Sequence, residues 1–214
     1  MIRNALALLI RLLTGVRLIN DTARPGPPRI YYANHSSHLD FAVIWAALPA
    51  CFRRRVRPVA AADYWERGPL RRWLAGRVFK AVLIPRGRVT RDDDPIGKMT
   101  AVLDAGNDLI IFPEGTRSLD GQVVEFRPGI HALARRYPQA ELIPVYLENL
   151  NRILPKGEYL MVPLMGNAIF GPPCAGPRTD ESRHDFLVRA RTSLLDLSVT
   201  SHPPFPPTPH PDET

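Results

Sequence analysis

Short apolar runs rich in β-branched and aromatic residues alternate along this chain with longer amphipathic stretches, and that alternation restricts the fold more than any other feature. Residues 29–33, 58–62, 78–84, 108–112 and 141–147 each have the nearly continuous apolar character of a strand buried on both faces, and residues 160–170 add one or two more. Between them lie helix-like segments. Residues 39–48 stop before Pro49, 68–76 form a short piece, and 95–105 start behind Asp92-Asp93-Asp94 and stop at Gly106. Residues 129–137 follow Phe126-Arg127-Pro128, and 179–197 carry Asp180 and Glu181 in the first turn. Strand followed by helix throughout predicts an α/β layered sheet. With 214 residues, one domain with a substantial core is expected.

The densest chemistry falls at the first of these strand-to-helix turns, Tyr31-Tyr32-Ala33-Asn34-His35-Ser36-Ser37-His38-Leu39-Asp40. On one helix, positions five apart differ by roughly 140°, so His35 and Asp40 meet only if His35 is still in the loop while Asp40 has entered the helix. A carboxylate there is favoured by the helix dipole and can hold the Nδ1 proton of His35, leaving Nε2 as a base. The nucleophile is then a hydroxyl of the substrate, since Ser36 and Ser37 are too close in sequence to the base. Two other readings stand beside this one: a helix cap next to a surface imidazole, and a metal-dependent hydrolase ligated by His35, His38 and Asp40.

A second cluster, Pro113-Glu114-Gly115-Thr116-Arg117-Ser118, follows the strand at 108–112. Gly115 allows close backbone approach, and Arg117 offers a fork for two parallel hydrogen bonds to a phosphate. Placed at a strand end, it is a candidate second wall of the same site.

Net charge is +7 and the pI near 9.9, with only three lysines among 28 basic residues. Nucleic acid, anionic lipid and phosphorylated substrates all suit such a charge, as does an arginine-biased composition without any partner, and a non-catalytic anionic-lipid-binding module stands as a further alternative to an enzyme. Eleven arginines lie between positions 53 and 91, including Arg53-Arg54-Arg55 at the entry to the second strand. That run suits an anionic bilayer or a polyphosphate. The two cysteines, Cys51 and Cys174, form no framework and no zinc spacing, which fits a reducing cytosol.

Residues 2–19 read as a basic amphipathic helix. Arg3, Asn4, Arg11, Thr14 and Arg17 fall on one side, and Leu8, Leu9, Leu12, Leu13, Val16 and Ile19 on the other. The arginines interrupt any span of roughly 20 apolar residues. The expectation is a monotopic anchor in an anionic headgroup region, with a helix packed on the core as the alternative. The chain thus divides into an anchor at 1–20, a domain at 21–200 opened by a Pro/Gly linker, and a Pro-rich tail at 201–214 expected to be disordered.

With both clusters read, the chain resembles the glycerolipid acyltransferases of the lysophosphatidate acyltransferase type. Asn34-His35-Ser36-Ser37-His38-Leu39-Asp40 is similar to that family's opening block, Phe112-Pro113-Glu114-Gly115-Thr116-Arg117-Ser118 to its third, and Ile143-Pro144-Val145 to its fourth. The second block is partly met by Ile84 and Arg86, with Lys80 and Leu83 departing from it. The resemblance implies a mixed, largely parallel sheet flanked by helices, with the N-terminal helix binding the membrane. It implies that His35, oriented by Asp40, deprotonates the hydroxyl of a lysophospholipid, above all lysophosphatidate. That hydroxyl then attacks the thioester of acyl-CoA or acyl carrier protein, with backbone amides meeting the oxyanion. It further implies that Arg86 and Arg117 hold the phosphate and that Glu114, Gly115 and Thr116 line the acceptor site. No cofactor beyond the thioester substrate, no metal and no nucleic-acid partner is expected, and the site lies on the cytoplasmic face of a membrane as a peripheral or monotopic enzyme.

Overall fold

A computed structural model describes residues 2–19, 26–37, 39–85, 94–118, 121–148 and 166–201. His38, Arg86, Asp92, Asp93 and the tail beyond 201 lie outside them, as does the stretch 160–165.

The helices are α1 (Ile2–Thr14), α2 (Asp40–Ala47), α3 (Ala50–Arg55), α4 (Ala62–Trp65), α5 (Pro69–Trp73), α6 (Pro95–Asp104), α7 (Gly129–Arg136) and α8 (Arg183–Ser201), with a π-helix over Leu74–Phe79. The strands are β1 (Arg17–Ile19), β2 (Arg29–Ala33), β3 (Val56–Ala61), β4 (Val82–Ile84), β5 (Asp108–Ile111), β6 (Glu141–Glu148) and β7 (Asn167–Phe170). They form one sheet in the order β1-β7-β6-β2-β5-β3-β4. All neighbours pair parallel except β6 and β7, so two edge strands run against the other five. The expected mixed, largely parallel sheet is what the chain forms.

Alternation along the strands fills two cores. Tyr31, Ala33, Ile110, Ile143 and Val145 face α1, α2 and the π-helix, while Ile30, Tyr32, Leu109, Ile111 and Leu142 face α6, α7 and α8. Helix α2 is buried at seven of its eight positions, Phe41 excepted, which explains its lack of a polar face.

The crossovers position the site. Adjacent strands β2 and β5 pair with Tyr32 opposite Ile111, yet the helix after β2 lies on one face of the sheet and the helix after β5 on the other. Such a reversal opens a crevice beyond the carboxyl ends of the two strands. His35 is three residues past Tyr32, and Glu114 three past Ile111. The register therefore brings the two polar clusters side by side.

Four sequence expectations are corrected. The strand expected at 78–84 is only Val82–Ile84, because Val78 and Phe79 belong to the π-helix. Phe79 packs edge-on against Phe41 and Trp45, and Lys80 turns the chain at φ +51°. Arg53, Arg54 and Arg55 end α3 rather than entering a strand. The last helix starts at Arg183 rather than Thr179: the Asp185 amide donates to Ser182 Oγ, which donates in turn to Asp185 Oδ2, while Glu181 is held by Arg189. The first helix ends at Thr14, where Gly15 takes φ +58°, and residues 17–19 become edge strand β1 with Val16 buried.

Helix α1 is oriented with its leucines outward. Leu8, Leu9, Leu12 and Leu13 are 59%, 50%, 74% and 46% exposed, whereas Ala7 and Thr14 are buried. The side with Arg3, Ala7, Ile10 and Thr14 packs inward instead, with Arg11 at its exposed edge. Arg11 donates to the carbonyls of Ala46, Ala47 and Leu48 at 2.6, 2.9 and 3.2 Å, capping the end of α2, and Arg3 donates to Arg53 O at 2.7 Å. Both Arg3 and Arg53 lie over the ring of Trp45. Leaving a leucine in water forgoes roughly 1.5–3 kcal/mol. Among the described residues no helix is long and apolar enough to cross a membrane.

Candidate active site

His35 and Asp40 meet as their spacing predicts. Asp40 opens α2 and is fully buried, and its Oδ2 lies 2.7 Å from His35 Nδ1. The same oxygen accepts the amides of Ser36 and Ser37 at 2.7 and 2.9 Å. Three donors converging on one carboxylate oxygen fix the loop between the two residues. With Nδ1 donating to Asp40, the tautomer assigned from this geometry leaves Nε2 as an acceptor. Phe112 stacks on the imidazole with ring centroids 4.3 Å apart.

The loop after β5 holds His35 from the other side. Glu114 is 2% exposed, its Oε1 accepting His35 N–H at 2.7 Å and its Oε2 accepting Val124 N–H at 3.3 Å. Ser118 N–H donates to His35 O at 2.8 Å. Asn34 completes the frame by exchanging two hydrogen bonds with the backbone of Leu147 on β6. Burial pushes the Glu114 carboxyl above its usual range, against the opposite pull of the two amides. Both its oxygens thus serve backbone geometry.

A cleft of about 400 Å³ opens here, with His35, Gly115, Arg117 and Arg127 among its polar lining and Val59, Ile84, Met99, Ile130 and Leu133 among its apolar walls. One guanidinium nitrogen of Arg117, Nη1, is buried with no hydrogen-bond partner among the described residues. Thr116 is exposed on the same loop. Arg86 lies outside the described residues.

In the sequence Arg127 stands only as part of a helix start. Its Nε donates to Glu114 O at 3.0 Å, its amide donates to Pro113 O at 2.8 Å, and its side chain crosses directly over Gly115. A Cβ on Gly115 would come 2.6 Å from Arg127 Cδ, and φ there is +72°. Glycine is required twice over, by backbone conformation and by the passing arginine. An arginine just ahead of a helix and close behind the Glu-Gly-Thr-Arg cluster was the available signal.

No three His, Cys, Asp or Glu side chains come together as a metal site among the described residues. The histidine with its buried carboxylate partner, an apolar cleft and two arginines therefore share one strand end.

The family model for acyltransferases matches residues 15–148, and the chain belongs to that family. It is 30% identical over 149 residues to human 1-acyl-sn-glycerol-3-phosphate acyltransferase alpha, covering 65% of this chain and 48% of that protein. It is 29% identical over 163 residues to a tafazzin of Dictyostelium discoideum, covering 71% and 55%. The chain spans about half the length of these curated relatives. In fold it is similar to the crystal structure of the LPA acyltransferase PlsC from Thermotoga maritima, with a TM-score of 0.74 over 94% of this chain and 80% of that one at 19% identity.

Proposed function

We propose that the protein transfers an acyl chain from an acyl thioester, acyl-CoA or acyl carrier protein, to the free hydroxyl of lysophosphatidate, giving phosphatidate. The observation that carries this reading is the 2.7 Å contact of His35 Nδ1 with a buried Asp40 at the rim of an apolar cleft. His35 Nε2 takes the proton of the acceptor hydroxyl as its oxygen attacks the thioester carbonyl. The tetrahedral intermediate then collapses, the C–S bond breaks, and the imidazolium returns its proton to the departing thiolate. No covalent acyl-enzyme forms. Backbone amides of the loop after β5 meet the developing oxyanion. The acyl chain lies along Met99, Ile130 and Leu133, while Arg117 and Arg127, with Arg86, meet the acceptor's phosphate.

Peripheral attachment to the cytoplasmic face of an anionic membrane is supported by the outward leucines of helix α1, and its preference for anionic lipid by the net charge of +7 rather than by that helix. The purified protein, given labelled acyl-CoA and a panel of lysolipids, should release thiol only when an acceptor is present and fastest with lysophosphatidate. A chelator should leave the rate unchanged; inactivation by it would instead favour metal-dependent hydrolysis.

A further inference from the structure

Helix α1 carries an outward apolar face, but the guanidiniums of Arg3 and Arg11 are hydrogen-bonded to backbone carbonyls. A surface of that kind adheres to lipid without discriminating its charge. The outward cationic charge lies elsewhere in the same helical layer. From Asp63 to Lys80 the chain has two carboxylates, Asp63 and Glu66, against Arg67, Arg71, Arg72, Arg77 and Lys80.

We propose that residues 67–73 form a second membrane-contact element, one that selects anionic headgroups and seats the mouth of the cleft on them; this rests on the reading of α1 as lipid-facing. Every residue from Glu66 to Trp73 is exposed, with Leu70 at 66% and Trp73 at 44%. Gly68 at φ +88° turns the chain outward, and Pro69 starts α5 immediately behind it. The helix runs on into the π-helix, where Val78 and Phe79 pack in the core that also holds Ala7 of α1. Both exposed apolar elements therefore belong to one face of the sheet.

The chemistry fits lipid. A leucine and a tryptophan among arginines match the interfacial zone, where an indole settles at headgroup depth and guanidiniums meet phosphates. The element also touches the cleft, since the Arg71 guanidinium stacks 4.5 Å above the ring of Tyr64, and Tyr64 and Trp65 line the cleft wall. An amphiphile leaving the bilayer beside α5 would reach the site without crossing water. Residues 67–73 thereby bind headgroups of the surface, a role separate from that of Arg117 and Arg127 at the acceptor.

The test uses the full chain and phosphatidylcholine vesicles with and without phosphatidylglycerol. With brominated phosphatidylcholine as quencher, vesicle-bound wild type should lose part of its tryptophan emission, and Trp73→Phe should abolish most of that loss while still sedimenting with vesicles. Trp45 is fully buried and Trp65, half-buried in the cleft wall, is present in both proteins, so the quenching lost in Trp73→Phe reports on Trp73. Arg67→Gln/Arg72→Gln should weaken binding to phosphatidylglycerol vesicles by about fivefold per arginine and leave binding to neutral vesicles unchanged. Quenching as strong in Trp73→Phe as in wild type, or equal losses on both vesicle types, would overturn the proposal. A parallel Leu12→Glu variant separates the two readings: unchanged vesicle binding there removes the role of α1, while Trp73 quenching decides that of α5.

Discussion

Three hydrogen bonds converging on Asp40 Oδ2 set the imidazole of His35, and Glu114 fixes the same residue through its amide. His35→Ala should lower acyl transfer by about 10²–10⁴-fold, the usual effect of losing a positioned base. His38→Ala should retain most of the activity, and steady-state rates of the two variants provide the comparison. Arg117→Lys keeps the charge but loses the fork. Its kcat/KM should fall selectively on lysophosphatidate relative to the matching monoacylglycerol; equal losses on both would make Arg117 a scaffold residue. At the opposite end of β5, Asp108 is 1% exposed, and burial holds its carboxyl above the ordinary 3.8 despite the amide of Arg29 and the guanidinium of Arg55. A carboxyl whose folded pKa is raised favours the folded state most when protonated. That advantage is complete below the unfolded value and is lost as pH rises through the folded one. Asp108→Asn should therefore gain in Tm relative to wild type as pH rises from about 3.8. A Tm difference independent of pH would contradict this.

Helix α1 presents two different faces. Its leucines are exposed, and Arg11 donates to the carbonyls of Ala46, Ala47 and Leu48 at the end of α2, the helix opened by Asp40. Replacing outward residues should not harm the fold. Leu9→Glu/Leu12→Glu should weaken flotation with neutral phosphatidylcholine liposomes at unchanged Tm, and flotation with them equal to that of wild type would contradict a lipid-facing role. Arg11→Gln should behave in the opposite way, retaining the leucine surface while destabilising the protein by about 1–3 kcal/mol, the scale for unsatisfied buried polar groups. Thermal melts of the variants distinguish these outcomes. Gly115 links two elements in a similar manner, because the loop after β5 and the approach to α7 share the space a Cβ would occupy.

Across the molecule, local relationships were legible in the sequence and distant ones were not. The pairing of His35 with Asp40 followed from five residues of spacing and a strand-to-helix turn. The grip of Glu114 on His35 spans 79 residues and depends on β2 and β5 being neighbours, which no local pattern states. Amphipathicity identified two faces of α1 but not which one the protein would keep, because the choice was made by the carbonyls at the end of α2. Val78 and Phe79 looked like strand because β-branched and aromatic residues suit both a strand and a buried helix face, and packing against Trp45 decided between them.

One assay bears on all of this at once: thiol release from acyl-CoA by the purified protein on anionic vesicles, with and without lysophosphatidate, for wild type and His35→Ala. Release by wild type should require the acceptor, match phosphatidate formed one for one, and fall at least about 100-fold in His35→Ala with Tm unchanged. Release without acceptor, or a His35→Ala variant as fast as wild type, would contradict direct transfer by a histidine base.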